Sequence, residues 1–151
     1  MPDSILTRTF RTRTGQSDVH GRAGAEAVAG WIQEIATQHA AALGVPWERL
    51  ARDGLTWVLF RLSLAFERWP DAREPVEVRT WPSDMERVVA RRDFLFRDEN
   101  GQTIGRGISS WVVMDVESRR PVRLPSPIRD LPTPDRPRAL PGNHPKLRPV
   151  G

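Results

Sequence analysis

Asp18 and His20 stand one residue apart in a turn-rich loop, residues 15–21, directly ahead of a helical pattern. A carboxylate there can attack a carbonyl carbon or activate water, and the neighbouring imidazole can pass protons near neutral pH. The helix entry adds unpaired backbone amides and the positive end of the helix dipole, which can hold a developing oxyanion. Gly21 and Arg22 complete the loop and are taken with it as substrate contacts. The simpler alternative is that Asp18 only caps the helix or orders its turn. Glu34 follows fourteen residues after His20, near the apolar face of the helix, where partial burial would suit it to act as a general base. Its alternative is a surface ion pair with one of the many arginines. Gln33 can orient a water or sit at a subunit seam. His39 lies one turn beyond Ile35 on the apolar face and reads first as a satisfied core or interface histidine, second as a substrate contact.

Other chemistries are excluded by residue type and spacing. The chain has no Cys, which removes disulfides, thiolate metal sites and cysteine nucleophiles. Its three His are scattered without zinc spacing, and no metal or other cofactor is implied. Ser109-Ser110 lacks the G-x-S-x-G elbow of a serine hydrolase. Gly105-Arg106-Gly107 lies within a strand pattern and precedes no helix, so it is no phosphate loop. The start of the chain is polar, and no apolar run approaches the roughly 18 to 20 residues that span a bilayer. The expectation is a soluble, unprocessed, cytoplasmic protein with no membrane and no nucleic-acid partner. The net charge of +4 does not contradict this, because it is local. Residues 1–118 hold 15 Arg against 17 acidic residues, while residues 119–151 hold 8 basic residues against 2. A basic tail of this kind is solvated or draws an acidic partner.

The elements that must position these residues follow from periodicity. Residues 6–14 alternate Phe and Arg among Thr and read as a half-exposed strand. Residues 23–43 switch to a helical period, with Val28, Trp31, Ile32, Ile35, Ala36, His39 and Leu43 on one broad face. Gly44 and Pro46 stop the helix, and residues 47–52 suggest one further helical turn. Residues 56–69 form a strand with Val58, Phe60, Leu62, Leu64 and Phe66 on one face. A short strand over 76–81 is ended by Pro82, and another spans 88–97 with Ala90, Phe94 and Phe96 sharing a side. Asp98-Glu99-Asn100-Gly101 is a hairpin signal, and residues 103–116 return, with Gly105 and Gly107 marking a bulge or a close backbone approach. Nine of the fourteen prolines lie between Pro121 and Pro149, so irregular chain is expected beyond a short edge strand at 122–124. One helix with a sheet long enough to curl around it predicts an α+β class, a single hotdog domain in which a curled antiparallel sheet wraps one long central helix. Its span is 1–124, with a Pro/Arg-rich tail over 125–151.

The segment 31–40 with Leu43-Gly44, then Trp57-Val58-Leu59-Phe60-Arg61, Val78-Arg79-Thr80-Trp81, Ala90-Arg91-Arg92-Asp93-Phe94, Ser109-Ser110-Trp111-Val112-Val113-Met114-Asp115 and Arg119-Arg120-Pro121 occur in order. Together they resemble the N-terminal hotdog domain of acyl-acyl-carrier-protein thioesterases. The resemblance implies a fatty acyl thioester of acyl carrier protein or coenzyme A as substrate, hydrolysis at the interface of a hotdog homodimer, and no cofactor. Trp57, with the other aromatics, then supplies an acyl tunnel as well as core. That family usually carries two such domains, with catalytic residues in the second at a D-x-N-x-H loop. Against that loop Asp18 matches the Asp, His20 stands at the Asn and Arg22 at the His. Two rivals follow: a non-catalytic module that binds acyl chains or carrier protein, and a dehydratase or hydratase pairing His20 with Glu34.

Overall fold

The computed structural model describes residues 4–12 and 24–140. Its strands are β1 (Leu6–Phe10), β2 (Leu55–Phe66), β3 (Val76–Met85), β4 (Val89–Arg97), β5 (Thr103–Asp115) and β6 (Pro121–Val122). Its helices are α1 (Ala25–Ala42), α2 (Trp47–Arg52) and α3 (Ser126–Arg129). The sheet runs β1-β3-β4-β5-β2, antiparallel throughout, with β6 on β5. The α+β hotdog arrangement expected from the pattern is the one found: a curled antiparallel sheet with one long helix packed against it.

The helix buries Ala27, Val28, Trp31, Ile32, Ile35, Ala36 and His39, the i, i+3, i+4 stripe of an amphipathic helix. It stops where Gly44 turns left-handed at φ 87°. There the Gly44 and Val45 amides bond back to Ala41 and Ala40 carbonyls, a Schellman closure with Val45 buried beneath it. Opposite the helix, Val76, Val78, Phe94, Phe96, Ile104, Trp111 and Val113 supply the sheet side of the core.

Two strands depart from simple alternation, each for a local reason. In β2 the register slips between Leu59 and Arg61, leaving Phe60 as a bulge. One extra residue reverses the phase of a strand, so Leu55, Trp57 and Leu59 pack on the core before it and Leu62, Leu64 and Phe66 after it. The single face expected for Val58 through Phe66 is therefore split at Phe60. The second case is β3, which does not end at Pro82 but continues to Met85. Its pairing with β1 runs out at Thr80, so beyond that point β3 has β4 as its one partner among the described strands, and the register slips after Pro82. A proline without N–H is tolerated at such an edge and bulge.

The β4–β5 turn forms as its residues predict. Asp98 accepts from the Asn100 and Gln102 amides through Oδ1, and Gly101 takes φ 77°. Of the two strand glycines, Gly105 is the close approach, since a Cβ there would overlap the Phe66 ring.

The proline-rich segment read as solvated is packed as far as Leu140. Leu124 and Ile128 are buried in the main core. Ala139 joins Trp81, Leu95 and Ile108 in a second cluster with Ile5 and Leu140. The pin is Asp93, fully buried: its carboxylate takes Arg138 Nε at 2.9 Å and the Ala139 amide at 2.7 Å. Arg136 lies 3.9 Å over the Trp81 ring.

The Phe66 ring cannot yield to a methyl group at position 105, because it stacks on Trp69 at 4.3 Å and against Phe96 at 4.9 Å. Gly105→Ala should cost about 1–3 kcal/mol in urea unfolding. Gly107→Ala, which meets a movable Leu64 methyl at 3.0 Å, should cost clearly less. Removing the cation from the buried pair, Arg138→Ala, should cost on the order of 3 kcal/mol and speed protease cleavage within residues 131–140. Equal unfolding midpoints for Arg138→Ala and the parent chain would contradict this account.

Candidate functional site

A cavity of about 210 Å³ opens between the helix and the β2–β5–β4 half of the sheet. One helix stripe forms its near wall: Gln33, Ala36, Thr37 and Ala40, spaced i, i+3, i+4, i+7. Thr56 and Trp57 of β2, Ala90 and Arg92 of β4 and Trp111 of β5 form the sheet side, and Trp47 of α2 and Leu131 complete it. Space exists because three of these positions are alanine, and no side chain among the described residues fills what they leave. The aromatic wall is rigid. Trp57 and Trp111 meet edge to face at 6.4 Å, and Trp111 Nε1 donates to Ser109 Oγ at 2.8 Å. Ser109 in turn donates to the Arg92 carbonyl at 2.8 Å. The buried serine thus ties two strands together.

Arg92 is the charged group of the cavity. It is 8% exposed, and burial pushes its guanidinium down to about 10. Nη1 lies 2.8 Å from His39 Nδ1 and 3.2 Å from Thr80 Oγ1. Guanidinium has only donors, so His39 must present a lone pair at Nδ1. That selects the neutral imidazole with its proton on Nε2.

The residues singled out from sequence fall into three places. Gln33 and Trp57 line the cavity, and His39 reaches it through Arg92. Glu34 lies elsewhere, in an open groove with Arg8, Phe10, Arg11, Trp31 and Gln38. It is exposed, so the partial burial expected for a general base is absent, because position 34 falls outside the buried stripe of α1. Asp18, His20, Gly21 and Arg22 lie outside the described residues. No group of His, Asp or Glu among the described residues is placed to hold a metal. No described helix is long and apolar enough to cross a membrane. Arg92 was not singled out beforehand, although its signal was present. It is in phase with Ala90, Phe94 and Phe96, a charge on the face meant for the core.

The chain matches the model of the acyl-ACP thioesterase N-terminal domain over residues 3–131. It is 30% identical over 128 residues to the oleoyl-acyl carrier protein thioesterase 2 of Arabidopsis thaliana, covering 80% of this chain and 35% of that protein. The chain therefore spans about a third of the length of the curated relatives it matches. The structure superposes on an acyl-ACP thioesterase from Bacteroides thetaiotaomicron with TM-score 0.82 and 28% identity, over 95% of this chain and 58% of that one. A DHNA-CoA thioesterase from Staphylococcus aureus shares the fold, at TM-score 0.74 and 18% identity, over 80% of each chain.

Nitrogen chemical shifts of His39 should show Nδ1 unprotonated and Nε2 protonated at neutral pH. In Arg92→Met that tautomer preference should weaken. A protonated Nδ1 in the parent chain would overturn the donor assignment.

Proposed function

Because the chain belongs to the acyl-ACP thioesterase family, through that family's N-terminal domain, we propose that it acts on fatty acyl thioesters of acyl carrier protein or coenzyme A. The family match across residues 3–131 carries the reading. The cavity supports it: a space beside a helix, walled by tryptophans and alanines with a few polar groups, suits an acyl chain. In the reaction, water adds to the thioester carbonyl, the C–S bond breaks, and the sulfur leaves as a thiol with a proton while the fatty acid is released. Asp18 activates the water, or attacks the carbonyl first to give a mixed anhydride that water then hydrolyses; His20 moves the proton, and the amides at the entry of α1 steady the oxyanion.

A dimer fits this scheme. β2 lies at the end of the sheet, twelve residues long, with β5 as its partner among the described strands. Such an edge offers a row of backbone donors and acceptors to a second sheet. In this scheme the loop ahead of α1 acts at the seam between two copies. The basic surplus beyond residue 118 suits an acidic carrier protein.

A second reading has its own observation. Among the described residues, no carboxylate or imidazole lines the cavity. A module that binds acyl chains without hydrolysing them needs nothing more than that.

Thiol release from a panel of acyl-carrier-protein and acyl-coenzyme A substrates separates the two. The expected result is turnover by the purified chain that falls at least about 100-fold in Asp18→Ala and His20→Ala. A folded protein that binds acyl chains and releases no thiol on any substrate establishes the binding module instead.

A further inference from the structure

Two arginines of β4 are buried and a third, half-buried, packs against the strand, and they are not treated alike. Arg91 Nη1 meets Asp84 and Glu86, each at 2.9 Å. Arg138 meets Asp93 at 2.9 Å. Arg92, on the cavity side, has two neutral acceptors, His39 and Thr80, and forms no ion pair among the described residues. At neutral pH it still carries its charge, since burial lowers it only to about 10. A buried cation without a counter-charge is costly, and an anion brought beside it offsets that cost.

A second wall of the cavity repeats the imbalance. Trp57 has a buried indole N–H with no acceptor among the described residues. Of the remaining lining residues, Ala36, Ala40, Ala90, Trp47, Trp111 and Leu131 are mainly apolar, while Gln33, Thr37 and Thr56 are polar and uncharged. Among its described lining residues the cavity thus carries one cation and no anion, with apolar side chains over much of its wall.

We propose that this cavity binds a carboxylate carried on a short aliphatic chain, with the Arg92 guanidinium as its anchor and the alanine and tryptophan walls holding the chain. This goes beyond thioester hydrolysis, since a plain acyl group brings no charge to meet Arg92, and it does not require that the chain hydrolyse anything. The carboxylate has two sources: a free aliphatic acid, or the far end of an acyl thioester that enters chain first.

Calorimetric titration of the full chain at pH 7 tests the proposal with hexanoate, hexanamide and hexan-1-ol. Hexanoate should bind at least about tenfold tighter than either neutral analogue. Arg92→Gln should remove that preference, while Arg92→Lys should keep part of it because it keeps the charge. The comparison of three ligands on the unmodified chain stands even if a variant fails to fold. Equal affinity for hexanoate and hexanamide, no binding of hexanoate, or a preference that survives in folded Arg92→Gln would each overturn the proposal. The two sources are told apart by adding hexanoyl-coenzyme A and the coenzyme A half-thioester of adipic acid. A half-thioester advantage of about tenfold that vanishes in Arg92→Gln assigns the pocket to the far-end carboxylate. Hexanoate selectivity without that advantage assigns it to the free acid. Carboxylate binding without thiol release would sink the thioesterase reading and leave this one standing, and thiol release without carboxylate selectivity would do the reverse.

Discussion

Side chains leave a β-strand alternately from its two faces, and in β4 that rule acts on three charged residues in a row. Arg91 and Asp93 go to the outer face and Arg92 to the inner one. Outside, each charge is met by its opposite, so the face becomes an anchorage for irregular chain that has no sheet of its own to join. Inside, the charge meets only a histidine and a threonine among the described residues and borders open space. A slip of one residue would set Asp93 against the helix core and leave Ala139 without its acceptor. The register is held by both faces at once, with the Ser109 hydroxyl on the Arg92 carbonyl as a further lock in the same strand pair.

The helix divides its labour in a similar way. Its buried stripe, Val28 through His39, completes the core, while the stripe from Gln33 to Ala40 is left to bound a cavity. Small residues on that second stripe are what keep the sheet and helix from closing on each other. The space is therefore written into residue size, and its polarity into a single strand position. Among the described residues the cavity has no acid–base group, and in the proposed mechanism that chemistry comes from the loop entering α1.

Much of this was legible beforehand. Apolar spacing located α1, Gly44 its end, and Asp98 through Gly101 the β4–β5 turn, because each is a local preference that the fold respects. The bulge at Phe60 was not legible: alternation from Val58 to Phe66 reads unbroken, and only pairing with β5 shows where one residue is surplus. Pro82 misled because a proline usually ends a strand, and its tolerance depends on how far the neighbouring strand extends. Glu34 shows the limit of a helical wheel, since a position next to a buried stripe can still face solvent. Arg92 was visible as an in-phase charge, yet its partners sit at positions 39 and 80, far away in sequence. The tail looked solvated by composition, and only the burial of Asp93 explains why arginine and proline pack there.

That tail reaches both faces of the sheet. Leu131 closes one side of the cavity, and Arg138 and Ala139, a few residues on, grip Asp93 on the outer face. In the language of tethered ligands, the grip keeps Leu131 at a high effective concentration, which for a short link is of about millimolar order. The wall of the cavity is then no firmer than a knot tied on the opposite side of the sheet. Loosening that knot would change residence times in the cavity without touching a single group that lines it.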